Sequence, residues 1–274
     1  MAGQQIPFIL AVAPNGARKT PADHPAVPIT PGEIARTAAA CREAGACMIH
    51  LHVRDRDGRH SLDVDAYRTA IDAIRRTAGQ DLVVQVTTEA VGIYHREEQM
   101  AMVRALRPEA VSLAVREIVP DAEAEPDAAG FFAWLHSEAI LPQYILYSDD
   151  DLRRFDDLVA RGVVPGERQV VLFVLGRYTK DQTSEPTDVL PFLAANTRDH
   201  LWSLCAFGRR EAACAIAAAA LGGHARVGFE NHLHLPDGSL APDNAALVAA
   251  VARGAAALGK PLADAGQARA LMAG

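Results

Sequence analysis

His50-Leu51-His52 sets two imidazoles two residues apart inside the largely apolar run AGACMIHLHVRD. On a β-strand, side chains at i and i+2 leave the same face, so both rings can reach a single ion. Neutral imidazole is a favoured zinc ligand, and two from one strand plus a carboxylate from elsewhere leave a position open for substrate. The other reading of the pair is two histidines satisfied by hydrogen bonds alone. The carboxylate candidate is Glu230, at the end of HARVGFEN, because a charge closing a buried strand must either pair or bind a cation. Arg226 lies four residues earlier and shares that face by alternation, so an Arg226–Glu230 salt bridge is the alternative for both. A second pair, His232-Leu233-His234, competes for the ion but lies in a loop before Pro-Asp-Gly, which holds ligands less rigidly.

Other polar residues fall at the ends of apolar runs. Thr87, Thr88 and Glu89 close the third run, Ser112 sits within the fourth, and Arg116 and Glu117 lie just beyond it. The turn Pro14–Thr20 delivers two cations, Arg18 and Lys19. Each alone reads as a solvated or structural residue; gathered on one rim, they become a site.

The elements able to gather them are strands and helices in alternation. Eight β-branched or apolar runs stand at Pro7–Val12, Cys47–Val53, Leu82–Thr88, Ala110–Leu113, Gln143–Tyr147, Val170–Leu175, Trp202–Ala206 and Ala225–Phe229. Several are continuous in apolar residues, as strands buried on both faces are. Thr30-Pro31-Gly32-Glu33 is a capping box ahead of Ile34, Ala38 and Cys41, and Gly45 ends that helix. Ala66–Ala78 and Ala245–Leu258 carry apolar stripes at helical spacing. Eight alternations fit an α/β fold of the (β/α)8 TIM-barrel type, in which reacting groups project from the carboxyl ends of the strands. No GxGxxG or GxxxxGK[ST] motif follows a strand, which weakens a nucleotide-binding open sheet. With no Pro-, Gly- or Ser-rich linker, residues 1–274 read as a single barrel domain, with Leu262–Ala273 as a short extra helix. Ile118–Asp127, IVPDAEAEPD, reads as a long loop after the fourth strand.

Composition supports this frame. The chain has 274 residues, 50% hydrophobic and only 5% aromatic, as expected of Ala-, Val- and Leu-rich helices on buried strands. A net charge of −7 with no basic run argues against nucleic acid or an anionic membrane as partner. The four cysteines include no CxxC pair and read as buried reduced thiols. Met1–Phe8 lacks the pattern of a signal peptide and no apolar run reaches the ~18 residues of a membrane span, so a cytoplasmic location is expected.

Taken together, NGARKT, HPAVPITPGEIA, AGACMIHLHVRDRDGRHSLD, QVTTEAVG, GGHARVGFENHLHL and the closing helix resemble the beta-keto acid cleavage enzymes, the family that includes 3-keto-5-aminohexanoate cleavage enzyme. The IHLHVRD and RVGFEN segments are its most specific parts. The resemblance implies a (β/α)8 barrel, a homotetramer, and a divalent metal that is normally zinc. It implies condensation of a β-keto acid with the co-substrate acetyl-CoA, giving acetoacetate and the acyl-CoA of the remaining fragment. By motif, His50 and His52 match the histidine ligands, Glu230 the carboxylate ligand and Arg226 the arginine of the catalytic dyad. Thr87 stands where the aminohexanoate enzyme has serine and Ser112 where it has threonine, both hydroxyls facing the substrate's carboxylate and keto region.

Two positions depart from that pattern. The dyad's acidic partner is Asn231 here, and an amide can orient Arg226 but cannot take up a proton; Glu89 or Glu117 could substitute. Arg18 stands where an aminated substrate's ammonium would meet glutamate, and a second acidic specificity position falls near Ile145. A reversed charge favours a substrate with an anionic or acceptor-rich distal end, such as the β-keto dicarboxylic acid 3-oxoadipate. The expected site is therefore Arg226 and Asn231 as catalytic residues, Arg18, Thr87, Ser112 and Glu89 around the substrate, and His50, His52 and Glu230 on the metal. Alternatives are a zinc-dependent TIM-barrel hydrolase and a barrel that binds metal or metabolite without turnover.

Overall fold

The computed structural model describes residues 6–274, so the first part of Met1–Phe8 lies outside the described residues. Strands and helices alternate: β1 (Leu10–Val12), α1 (Pro31–Glu43), β2 (Met48–Leu51), β3 (Val53–Arg54), β4 (His60–Ser61), α2 (Val64–Ala78), β5 (Val83–Thr87) and α3 (Arg96–Leu106) come first. They are followed by β6 (Ala110–Ala114), α4 (Val115–Ile118), α5 (Glu125–Ser137), β7 (Leu141–Leu146), α6 (Asp149–Ala160), β8 (Val170–Leu175) and α7 (Leu190–Ala195). The chain closes with β9 (Leu201–Ala206), α8 (Glu211–Ala220), β10 (His224–Val227), α9 (Asn244–Ala257) and α10 (Ala265–Ala273). Eight parallel strands form a closed barrel in the order β1-β10-β9-β8-β7-β6-β5-β2, which is the (β/α)8 architecture.

Local sequence explains the helix ends. Thr30 accepts a hydrogen bond from Glu33 N–H while the Glu33 carboxylate accepts from Thr30 N–H, completing the capping box of α1. Asp63 and Asp243 cap α2 and α9 by accepting from Ala66 and Ala246 N–H.

Strand alternation sorts the core. Leu10, Ile49, Val84, Val111, Tyr144 and Phe173 face outward and pack against the helices in one cluster with Ile34, Ile74 and Phe131. The inward residues Ile9, Ala11, Met48, Val83, Ala110 and Val170 make a separate apolar floor at the amino ends of the strands, joined by Ala265, Ala268 and Met272 of α10. Two residues further along, the inward positions of β2, β5, β6, β7 and β9 are polar (His50, Gln85, Ser112, Gln143 and Ser203), while β8 keeps Leu172 there.

Several boundaries differ from the sequence reading. The second run breaks after Leu51, and Val53–Arg54 turns aside to pair antiparallel with His60–Ser61. The long loop expected at Ile118–Asp127 shortens to 119–124, because Ile118 ends α4 and Glu125, Pro126 and Asp127 form the first turn of α5. Proline fits that position, where no intrahelical N–H bond is lost. The last barrel strand ends at Val227, leaving Glu230 beyond it. All four cysteines are free and buried, and among the described residues no helix is long and apolar enough to cross a membrane.

Candidate active site

An inward polar chain crosses the barrel above the floor. Gln143 donates from Nε2 to Ser203 Oγ at 3.3 Å and accepts at Oε1 from Gln85 Nε2 at 3.1 Å. Gln85 Oε1 therefore accepts, and its partner at 2.9 Å is His50 Nδ1. A neutral ring protonated at Nδ1 has its lone pair at Nε2, the tautomer that a ligand needs. Burial lowers the His50 pKa well below its ordinary value, with Arg226 adding to it, so the ring is neutral.

His50 Nε2 and His52 Nε2 lie 3.1 Å apart, and Glu230 Oε2 stands 3.7 Å and 3.6 Å from them. His50, His52 and Glu230 form the one group of metal-type donors converging this closely among the described residues. Glu230 Oε2 is buried yet accepts no hydrogen bond. Two imidazole nitrogens and an orphaned carboxylate oxygen facing one point fit a divalent cation, with zinc the match by donor type. Burial pushes the Glu230 carboxyl up, but Arg226, His52 and His50 outweigh it and hold it well below the carboxylate range.

Arg226 is buried and reaches Glu230 Oε1 at 3.3 Å and Cys205 Sγ at 3.4 Å, leaving Nε and Nη1 without partners. Its nearness to Glu230 arises from a turn rather than from strand alternation. Gly228 takes φ +137°, and a Cβ there would meet Ala13 O at 2.5 Å, so only glycine lets the chain bend at this point. The turn is stitched to the neighbouring strand end by Glu230 N–H donating to Ala13 O, and Asn244 ties Phe229 N–H to Pro14 O.

Asn231 does not orient the guanidinium as expected. Its Nδ2 donates to the backbone carbonyl of Arg226 at 3.2 Å and to Glu211 Oε1 at 2.9 Å, while Oδ1 has no partner. Glu211, not singled out in the sequence, opens α8 and also accepts from Gly228 N–H. Burial pushes its carboxyl up to about 8, against the Asn231 and Gly228 hydrogen bonds.

The first loop is pinned by another residue that the sequence reading passed over. Buried Arg54 donates to the carbonyls of Asn15, Gly16, Ala17, Lys19 and Gly58. Gly16 lies against the Glu230 side chain, where a Cβ would meet Cγ at 2.6 Å.

Two cavities open beside the donors. One of about 200 Å³ is lined by Asn15, Gly16, Arg18, Lys19, Arg177 and Glu89, among others, and the other, about 30 Å³, by His50, Thr87, Ile145, Tyr147, Val174 and Arg226. They share Glu89, Arg177, Phe207 and Glu230. A larger cavity of about 440 Å³ lies at the opposite end of the barrel, against α10, and holds none of the expected site residues.

The structure brings His50, His52, Glu230, Arg226, Thr87, Glu89 and Arg18 to this mouth, with Asn231 just behind it. Thr87 accepts at Oγ1 from Glu89 N–H, and burial raises the Glu89 pKa. Ser112 faces inward beside Thr87 in register, with Oγ buried and unpaired, but it lines neither cavity. Glu117 accepts from Ala90 N–H and Gln99 Nε2 outside both cavities, and so braces the Glu89 loop instead of facing substrate. His232 and His234 pack on each other, centroids 5.0 Å apart, away from the metal-type group. Gln85 and Gln143 had a sequence signal, polar residues at inward positions of apolar strands, and so did Arg177, a cation two residues past the Val170–Leu175 run.

A family model described as beta-keto acid cleavage enzyme matches residues 7–273. The chain is 32% identical to 3-oxoadipate:acetyl-CoA acetyltransferase of Cupriavidus necator, over 97% of this chain and 94% of that one. It is 31% identical to 3-keto-5-aminohexanoate cleavage enzyme of Fusobacterium nucleatum, covering 97% of both. Among solved structures, apo ObcA superposes with a TM-score of 0.73 at 16% identity, covering 90% of this chain and 65% of ObcA, a likeness of fold.

Proposed function

Since the chain belongs to the beta-keto acid cleavage enzyme family, we propose that it transfers the acyl part of a β-keto acid to CoA, with acetyl-CoA as co-substrate and acetoacetate as the second product. In this reaction the α-carbon gives up a proton and bonds to the acetyl carbonyl as the acetyl–sulfur bond breaks. The released CoA thiolate adds to the keto carbon, the bond from the α-carbon to the keto carbon breaks, and the α-carbon takes the proton back, leaving acetoacetate and the acyl-CoA. The observation that carries the reading is the meeting of His50, His52 and Glu230 beside a buried arginine with two unpaired donor atoms.

His50, His52 and Glu230 would hold the divalent cation, zinc by donor type, which when bound supplies Lewis-acid polarisation of the keto oxygen. Arg226 holds its charge despite burial, because Glu230 and Cys205 raise its pKa, and its free Nε and Nη1 can meet negative charge developing on the substrate. Thr87 lines the smaller cavity. Asn231 cannot take a proton, so Glu89, which lines both cavities and whose pKa burial raises, is the carboxylate placed to accept the α-proton.

Sequence identity to the 3-oxoadipate and 3-keto-5-aminohexanoate enzymes is nearly equal, so the charge at the mouth decides between their substrate classes. Arg18 there supports an anionic or polar distal end, and 3-oxoadipate is the substrate we assign. The test incubates zinc-supplied protein with acetyl-CoA and either 3-oxoadipate or 3-keto-5-aminohexanoate. Succinyl-CoA and acetoacetate should form faster from the first. Free CoA without an acyl-CoA product, or a preference for the amino substrate, overturns the reading.

A further inference from the structure

Arg177 follows β8 and lines both cavities, yet no function has so far been given to it. Its guanidinium lies 5.1 Å over the Phe207 ring and makes one ion pair, Nη2 to Glu89 Oε1 at 3.4 Å. Arg18 Nη1 approaches the same oxygen at 3.5 Å. The two arginines differ in setting: the side chain of Arg177 is 19% exposed and that of Arg18 58%. Arg18 lines only the larger cavity, whereas Arg177 also faces the smaller one, with the His50, Arg226 and Glu230 side chains. The smaller cavity is about 30 Å³, too little for a substrate, so a side chain at the mouth must move when one enters. Apart from Thr87 and Glu89, the rest of that cavity wall is apolar or aromatic, Ile145, Tyr147, Val174 and Phe207, and would slide along a methylene chain without binding its end.

The geometry points to Arg177 as the specificity residue that receives the distal carboxylate of the keto acid, with the Glu89 carboxylate occupying that seat in the empty protein. This rests on the β-keto acid reading for the reaction, but not for the binding event. A guanidinium half-stacked on a ring and held at one corner keeps donors free for a second carboxylate, and its fork geometry is not reproduced by lysine. An entering carboxylate takes the place of the Glu89 oxygen, and the chain behind it lies along the apolar wall toward the metal-type donors. Arg18, mostly in water, disfavours an ammonium and favours an anion at the mouth, but its screened charge adds little to the grip on a bound carboxylate.

The test is equilibrium binding, by calorimetry, of glutarate and pentanoate to zinc-supplied protein; these probes share a five-carbon chain and differ in the second carboxylate. Wild-type protein should bind glutarate more tightly by about 10-fold or more, as a partly buried charge-assisted pair implies. Arg177→Met should abolish the ratio, Arg177→Lys should restore part of it, and Arg18→Met should change it by less than about 3-fold. Glu89→Gln should tighten glutarate relative to pentanoate, since the internal competitor loses its charge. A wild-type ratio near one, or a ratio that Arg177→Met and Arg177→Lys leave intact, overturns the assignment. If the ratio behaves as stated while no β-keto acid is cleaved, the reaction has been misread and the Arg177 assignment stands; cleavage without an Arg177-dependent ratio is the converse.

Discussion

Gly16→Ala should separate the metal-type site from the stability of the barrel. Gly16 has φ +60°, and an added Cβ would lie 2.6 Å from Glu230 Cγ, 3.1 Å from Cβ and 3.3 Å from Cδ. Carbon atoms in good contact sit about 3.5–4.0 Å apart, so Glu230 must retreat by about 1 Å. It has little room, with Arg226 at 3.3 Å on one oxygen and His50 and His52 at 3.7 Å and 3.6 Å from the other. Metal–ligand distances tolerate only about 0.2 Å, so a displaced Glu230 is lost as a ligand and zinc affinity should fall at least ~100-fold. The left-handed backbone adds a strain of about 1–2 kcal/mol whatever the neighbours. Gly162→Ala isolates that second contribution, because Gly162 has φ +76° and an added Cβ there would meet nothing within 4 Å. In chelator, Gly162→Ala should lower the melting temperature by about 2–4 °C per kcal/mol of strain, and Gly16→Ala by at least as much. Competition of the proteins with a chromophoric chelator for zinc should show wild-type affinity for Gly162→Ala and the large loss for Gly16→Ala. Wild-type zinc affinity in Gly16→Ala would refute the placement of Glu230 as a ligand.

Gln85→Leu removes the acceptor that fixes the His50 tautomer, and zinc affinity should fall about 10–100-fold; unchanged affinity in the chelator competition would show that the polar chain is only packing. His50→Ala should bring bound zinc well below one per chain by elemental analysis, and full occupancy would move the site to other residues. Arg54→Met leaves the carbonyls of the first loop without their buried donor and should cost about 3 kcal/mol in urea unfolding, with faster hydrogen exchange at 15–19; a loss below about 1 kcal/mol would argue against the staple. Glu211 has a folded pKa near 8 against an ordinary value of 4.5. Its contribution to stability is therefore full below the ordinary value and lost as pH rises through the folded one. Glu211→Gln should flatten the fall in melting temperature across that window, and a slope equal to wild type would show that the carboxyl ionises freely.

The barrel is legible in the chain because its signals are local and periodic. Capping boxes such as Thr30-Glu33, stripes such as Tyr67, Ala70 and Ile74, and continuous apolar runs such as Val170–Leu175 specify elements without reference to distant residues. The pairing of His50 with His52 is legible too, since their i, i+2 spacing in one apolar run predicts a common face, although β2 itself ends at Leu51 and His52 lies just past it. What meets them depends on the folded barrel. Glu230 reaches the histidines through a turn that Gly228 permits, not along the strand. Asn231 is turned to Glu211, a residue 20 positions away in the chain, and so bonds the backbone of Arg226 and not its side chain. Arg177 joins Glu89 across 88 positions. Such partners come from different strands, and closure of the barrel, driven by apolar burial that is indifferent to these polar groups, sets which strand ends face one another across the mouth.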